Sequence, residues 1–129
     1  MLPARHRLRR AADFTAVVRG PGSTRAGGRL MIVHAVASSG LTNAGGPADL
    51  PPRVGFVVSK AVGGAVVRNR TKRVLRHLVA ARLEGIPDGF DLVVRANPAA
   101  AGASTAELSA ELDDGLRRVL RPPGRERRR

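Results

Sequence analysis

The chain has 129 residues, and its 23 Lys and Arg against 10 Asp and Glu give a formal net charge of +13 at pH 7. This length suits one domain with a single modest core, and this charge indicates a polyanionic partner, nucleic acid first and an anionic membrane surface second. The lack of cysteine excludes disulfides and thiolate metal sites, and no apolar run reaches the roughly 20 residues of a membrane span. We expect a cytoplasmic protein without a secretory signal, because no apolar segment follows the basic N-terminus.

The N-terminal stretch predicts a basic arm followed by a short helix. The arm, residues 1–6, either stays disordered or orders on RNA. Residues 9–19 predict a helix, because Phe14, Val17 and Val18 recur at helical spacing and would share one side. The Gly-Pro-Gly sequence that follows would end this helix.

Two apolar segments come next and predict buried strands. Residues 27–36 and residues 53–59 are apolar on both alternating faces, which is typical of strands inside a sheet. Between them, residues 38–52 are dense in Ser, Gly and Pro and predict a flexible surface loop. We therefore expect the two strands to pair as an antiparallel hairpin across this loop.

The most informative segment is residues 59–82, which predicts an amphipathic helix with one strongly basic face. Crowding like charges on a helix costs roughly 0.2–0.5 kcal/mol for each adjacent pair, a cost that a bound polyanion would offset. Gly63 and Gly64 precede the helix and would let its first amides approach a phosphate closely. The segment contains no acid, and its seven basic residues are Lys60, Arg68, Arg70, Lys72, Arg73, Arg76 and Arg82.

The C-terminal half predicts one more strand and one more helix. Residues 90–94 are a short apolar run typical of a strand, and the strand–helix–strand order predicts a parallel crossover. Residues 104–120 predict a helix with a capping box formed by Ser104 and Glu107. Residues 121–129 predict a basic tail. The pattern as a whole indicates a single α+β domain over residues 1–129.

No catalytic or metal site is evident in the sequence. His6, His34 and His77 are not spaced as metal ligands, and the ten acids form no obvious acid–base pair. Ser59 and Lys60 lack the glycine-rich elbow that a nucleophilic serine needs. The chain has three Phe and no Tyr or Trp, which argues against a platform that stacks many single-stranded bases. We therefore predict that the protein binds folded RNA through its shape and phosphates.

Residues 53–76 read RVGFVVSKAVGGAVVRNRTKRVLR, and this run resembles the signature of the protein component of bacterial ribonuclease P. The core of the resemblance is the triplet Arg68-Asn69-Arg70, and it extends to the R-L-R-R-x-x-D-F sequence that ends at Phe14. The resemblance covers residues 7–120, apart from the loop at residues 38–52. It implies a two-layer α/β sandwich, with a mixed sheet of about four strands and three helices. It also implies a left-handed βαβ crossover and a fold shared with the second domain of a small-subunit ribosomal protein.

The resemblance also implies a function. In this family the RNA subunit, with Mg²⁺, is the catalyst that removes the 5′ leader of precursor tRNA, and the protein contributes neither a catalytic residue nor a bound cofactor. The implied partners are the ribonuclease P RNA and precursor tRNA, with no membrane and no obligate protein partner. Residues implied to bind the catalytic RNA are Arg68, Asn69, Arg70, Lys72, Arg73 and Arg76. Residues implied to line or border the cleft for the leader are Phe14, His34, Phe56 and Lys60.

The sequence departs from the family pattern at positions where aromatic residues are common. Val18 and His34 stand at two such positions, so we expect weaker stacking on leader bases and a larger contribution from charge. Arg95 stands one position away from a basic residue of the family's last strand.

Three alternatives to this interpretation are a ribosomal protein or general RNA chaperone, an architectural DNA-binding protein and an autonomous nuclease. The first needs only the basic helix and would not need Phe14 or Lys60. The second would show no preference for structured RNA over duplex DNA. The third would cut precursor tRNA without an RNA subunit, which we do not expect.

Overall fold

One mixed β-sheet organises the molecule. The computed structural model describes residues 7–8, 11–20, 23–37, 52–86 and 89–120. Within these residues the sheet has four strands in the order β1-β2-β4-β3. Strand β2 is antiparallel to both β1 and β4, whereas β3 is parallel to β4. The strands are β1 (Thr24–Gly27), β2 (Met31–Ala37), β3 (Arg53–Val57) and β4 (Phe90–Ala96).

Three α-helices pack on this sheet, as predicted. They are α1 (Ala11–Arg19), α2 (Ala65–Ala80) and α3 (Thr105–Val119), and two 3-10 turns lie at Leu83–Gly85 and Pro98–Gly102. Helix α2 connects β3 to β4, which confirms the predicted parallel crossover. The handedness of this connection stays a prediction from the family resemblance.

The two faces of the sheet are covered unequally. Because side chains alternate along a strand, Val33 and Leu92 point towards α2 and α3, while Val36 and Val93 point towards α1. The main hydrophobic core lies between the sheet and the pair α2 and α3. A smaller apolar cluster, which includes the buried Val17, lies under α1. The second face is therefore covered by one short helix.

The predicted hairpin between the two long apolar segments is wrong. In the sheet β2 lies between β1 and β4, and β4 separates it from β3. The hairpin partner of β2 is instead β1, through a tight turn in which the Gly28 amide donates to the Met31 carbonyl at 2.9 Å. The single strand predicted at residues 27–36 therefore divides at residues 28–30. The predicted loop at residues 38–51, the arm at residues 1–6 and the tail at residues 121–129 lie outside the described residues.

The local signals for α3 are confirmed. The Ser104 hydroxyl accepts from the Glu107 amide at 3.1 Å, and the Glu107 carboxylate accepts from the Ser104 amide at 2.8 Å, which completes the capping box. The leucines at positions 108, 112 and 116 are buried against the sheet. Residues 7 and 8 also contribute, because the Leu8 amide donates to the Val54 carbonyl at 3.1 Å along the outer edge of β3.

Candidate nucleic-acid interface

Helix α2 packs on the sheet through one face and presents the opposite face outward. Its buried residues are Thr71, Leu75, Leu78 and Val79. The Thr71 hydroxyl donates to the Val67 carbonyl at 2.9 Å, so this polar group is satisfied inside the packed face. The other face carries all six residues predicted to bind RNA. Of these, Arg68 and Lys72 are half-buried, and the exposed ones are Asn69, Arg70, Arg73 and Arg76.

The positive charge on α2 is not neutralised within the described part of the chain. There, no carboxylate lies within ion-pair distance of the five basic residues in this predicted set. The Arg68 Nε donates to the Gly63 carbonyl at 3.2 Å, which holds this guanidinium near the start of the helix. The N-cap residue Gly64 provides no side-chain cap, and the first turn contains no acid. Side-chain charge and the helix dipole therefore both favour an anion here.

Carboxylates are concentrated instead on α3, where they have partners of their own. Asp113 accepts from Arg82, and this hydrogen bond lowers the pKa of Asp113 and raises that of Arg82. Asp114 accepts from Arg117 at 3.1 Å and from Arg118 at 3.2 Å. The acids of α3 are Glu107, Glu111, Asp113 and Asp114. Unpaired positive charge and paired negative charge thus occupy different helices.

On the α1 face, the strand registers place Arg25, His34, Val93 and Gly55 in one row across the sheet. Phe14 of α1 lies directly over Gly55, where a Cβ atom would overlap its ring. The structure therefore places Phe14 and His34, both predicted for the leader cleft, on the same face of the sheet.

His34 is the floor of this face rather than an exposed side chain. Its relative exposure is 1%, and neither ring nitrogen has a hydrogen-bond partner within the described residues. Burial lowers the pKa of His34, and the nearby positive charges of Arg95 and Arg25 lower it further. The imidazole is therefore held neutral at pH 7.

The other two residues predicted for the leader cleft lie elsewhere. Phe56 is aligned with Val94 of β4 and packs against the main core, because alternation turns it away from the face that Gly55 shares with His34. Lys60 is exposed in the turn that follows β3. The four predicted residues are thus divided between the two faces of the sheet and a turn.

Phe14 and Phe56 nevertheless meet at the outer edge of β3. A pocket of about 200 Å³ opens there between residues 7–8, helix α1, strand β3 and helix α2. Both phenylalanine rings line it, together with Lys72 and Arg76 of α2. The edge pocket, as we name it from these four residues, joins the surface predicted for the leader to the surface predicted for the catalytic RNA.

Sequence reasoning missed three residues of this region. Arg25 and Arg95 are both exposed, and both lie close enough to His34 to lower its pKa. Arg25 was missed because residues 24–27 are too short and polar to predict a strand. Gly55 is the third, and the close approach of Phe14 explains why a glycine stands inside an otherwise apolar strand.

Two other classes of site find no support in the described residues. No group of three or more His, Asp or Glu side chains there is placed to hold a metal ion. None of the described helices is both long and apolar enough to cross a membrane.

Comparisons with solved structures give the same fold. A ribonuclease P protein from Staphylococcus aureus superposes with a TM-score of 0.74 at 24% identity, covering 90% of this chain and 98% of that one. The ribonuclease P protein from Thermotoga maritima superposes with a TM-score of 0.69 at 24% identity, covering 93% of this chain and all of that one. At this level of identity the likeness concerns the fold.

Sequence comparisons identify the family. A relative from Streptomyces bikiniensis, named ribonuclease P protein component, is 53% identical over 121 residues, which are 93% of this chain and 96% of the relative. A relative of the same name from Acidothermus cellulolyticus is 53% identical over 120 residues, covering 92% of both chains. The family model described as Ribonuclease P matches residues 2–120. With a matching fold, a matching sequence and a basic helix at the expected place, the chain belongs to the ribonuclease P protein family.

Proposed function

We propose that this chain is the protein subunit of the ribonuclease P ribonucleoprotein in the bacterial cytoplasm. It binds the catalytic RNA and the 5′ leader of precursor tRNA, and it assists the Mg²⁺-dependent endonucleolytic removal of that leader. The observation that carries the proposal is the outward face of α2, whose basic residues have no carboxylate partner within the described residues. The residues proposed to contact the catalytic RNA are Arg68, Asn69, Arg70, Lys72, Arg73 and Arg76.

The role of the protein in this proposal is electrostatic. Two folded RNAs repel each other, and Mg²⁺ ordinarily screens that repulsion. A compact body with a formal net charge of +13 lowers the concentration of Mg²⁺ that the two RNAs need to associate. The hydrolysis itself is assigned to the RNA subunit with its Mg²⁺, and no residue of this chain is assigned a catalytic role.

Contacts to the leader give preference for substrate over product. Precursor tRNA has a leader and mature tRNA does not, so every contact to the leader favours the substrate. We propose Phe14, His34, Phe56 and Lys60 for this surface, with Arg25 and Arg95 supplying charge beside it. Because Val18 and His34 stand where aromatic residues are common in the family, charge contributes more here than stacking.

Reconstitution tests the proposal. Cleavage of precursor tRNA by the RNA subunit is measured over a series of Mg²⁺ concentrations, with and without this chain. We expect the protein to lower the Mg²⁺ concentration required for half-maximal cleavage, and we expect no cleavage by the protein alone. An unchanged Mg²⁺ requirement would contradict the electrostatic role. Cleavage without the RNA subunit would contradict the assignment of chemistry to the RNA.

A further inference from the structure

The edge pocket connects two surfaces that the proposed function treats separately. Phe14 and Phe56 belong to the residues proposed for the leader, and Lys72 and Arg76 to those proposed for the catalytic RNA. All four line one pocket of about 200 Å³. What the pocket holds therefore bears on both surfaces at once.

The pocket contains most of the aromatic surface that the protein has. The whole chain has three phenylalanines and no tyrosine or tryptophan, and two of the three line this pocket. Both rings are half-buried, so part of each remains open to a ligand. The third, Phe90, packs against the main core and does not line the pocket. Aromatic rings at a phosphate-binding surface are the usual partners of an unstacked base.

The pocket is also positively charged on its α2 side. Lys72 and Arg76 are four residues apart, so they stand on the same side of α2, one turn apart. Within the described residues neither has a carboxylate partner. Two adjacent cations beside two rings match the two parts of a nucleotide, the phosphate and the base.

A glycine leaves the space that the pocket needs. Gly55 of β3 lines it, and a Cβ atom at this position would overlap the Phe14 ring and lie 3.1 Å from the Leu8 Cβ. The missing side chain lets Phe14 lie flat against β3 at the edge of the sheet. Any larger residue would push the ring into the space that a ligand needs.

We propose that the edge pocket binds a single unstacked nucleotide of RNA, with the base against Phe14 and Phe56 and the phosphate on Lys72 and Arg76. The inference rests on the proposed function and adds to it a defined nucleotide site. That nucleotide comes from the leader of precursor tRNA or from an unpaired position of the RNA subunit, and the chemistry of recognition is the same in both cases.

Leucine variants test the two rings and identify the source of the nucleotide. Phe14→Leu, Phe56→Leu and the control Phe90→Leu are each assembled with the RNA subunit. Two affinities are measured, that of the protein for the RNA subunit and that of the holoenzyme for precursor tRNA with and without a leader. We expect Phe14→Leu and Phe56→Leu to weaken the same one of these affinities about fivefold or more, and Phe90→Leu to weaken neither. A loss in the leader-dependent affinity assigns the nucleotide to the leader, and a loss in the first affinity assigns it to the RNA subunit.

A double-mutant cycle tests whether ring and cation act on one ligand. Phe56→Leu is combined with Arg76→Gln, and Arg117→Gln on α3 is the control for loss of one positive charge. If both side chains hold the same nucleotide, the double variant loses clearly less affinity than the product of the two single losses. Multiplicative losses, or rings whose replacement changes neither affinity in folded protein, would overturn the proposal. Because Arg76 is exposed, this variant keeps the test valid even if a phenylalanine variant fails to fold.

The result is separable from the test of the proposed function. The Mg²⁺ experiment concerns the charge of the whole protein, which the leucine variants leave unchanged. A lowered Mg²⁺ requirement together with multiplicative losses in the cycle would reject the nucleotide site and leave the proposed function intact.

Discussion

His34 has a buried imidazole with no hydrogen-bond partner among the described residues, and such a group costs stability. Its pKa is lowered by burial and by the charges of Arg95 and Arg25. The unfolded chain takes up a proton near the ordinary value of about 6.5. Between that value and the lower native pKa the unfolded state binds more protons, so the free energy of unfolding falls as the pH falls through this window.

We therefore predict that His34→Leu raises the free energy of unfolding by about 1 kcal/mol at pH 7, since it replaces an unsatisfied polar group with an apolar one. The variant should also lose the part of the acid sensitivity that His34 causes. Urea titrations at a series of pH values between 7 and 5 measure both effects. His77→Gln, at an exposed position of α2, is the control for loss of a histidine. Equal pH dependence in the His34 variant and the wild type would contradict the prediction.

Gly55 gives a second prediction for a single residue. Gly55→Ala places a methyl group where the Phe14 ring lies and close to Leu8, so we expect a loss of about 1–3 kcal/mol in the free energy of unfolding. The matched control is Gly85→Ala, where the added methyl group meets no atom within 4 Å. Thermal or urea unfolding measures both variants. Equal stability of the two alanine variants would show that α1 moves without cost.

Helix α2 leads to a prediction about RNA binding. Arg68→Ala together with Arg70→Ala removes two cations from its outward side, so the affinity for the RNA subunit should fall about tenfold or more while the fold is retained. The slope of log affinity against log salt should become shallower by about 1.4 to 1.8. Filter binding at several salt concentrations measures both quantities.

The matched control removes the same charge from the other side of the molecule. Arg117→Ala with Arg118→Ala acts on α3, where both arginines bond to Asp114. Equal losses of affinity from the two double variants would show that binding depends on net charge and not on α2.

The helices and strands differed in how much of them the sequence could predict. The signals for α2 and α3 are local, because apolar spacing, the Ser104–Glu107 cap and the flanking glycines all lie within one segment. Strand pairing is not local, and so the choice of β4 over β2 as the neighbour of β3 could not be read from either strand. Strand β1 is four residues long and mostly exposed, which leaves no apolar pattern to detect.

The candidate site shows the same division. The basic face of α2 follows from the spacing of residues in one helix, and the structure places it outward as expected. The arrangement around Phe14 depends on how α1, β3 and α2 come together, which no single segment encodes. Phe56 illustrates the limit, because its direction depends on the register of β3 with β4.

At the scale of the whole molecule, unpaired positive charge and paired negative charge lie on separate elements. If five or six side chains contact phosphates, log affinity for the RNA subunit should fall with log salt with a slope between about −3.5 and −5.4. Affinities measured between 50 and 400 mM monovalent salt at constant Mg²⁺ give this slope. A slope near zero would mean that apolar or base contacts dominate.

Glu111 links these separate sides of the molecule. Its carboxylate on α3 accepts from the backbone amides of Leu30 and Met31, at 2.7 and 2.9 Å, and so fixes the turn between β1 and β2. That turn sets the position of β1, which presents Arg25 on the far side of the sheet. An exchange of this one acid would thus be felt beside His34, through the backbone and without any direct contact.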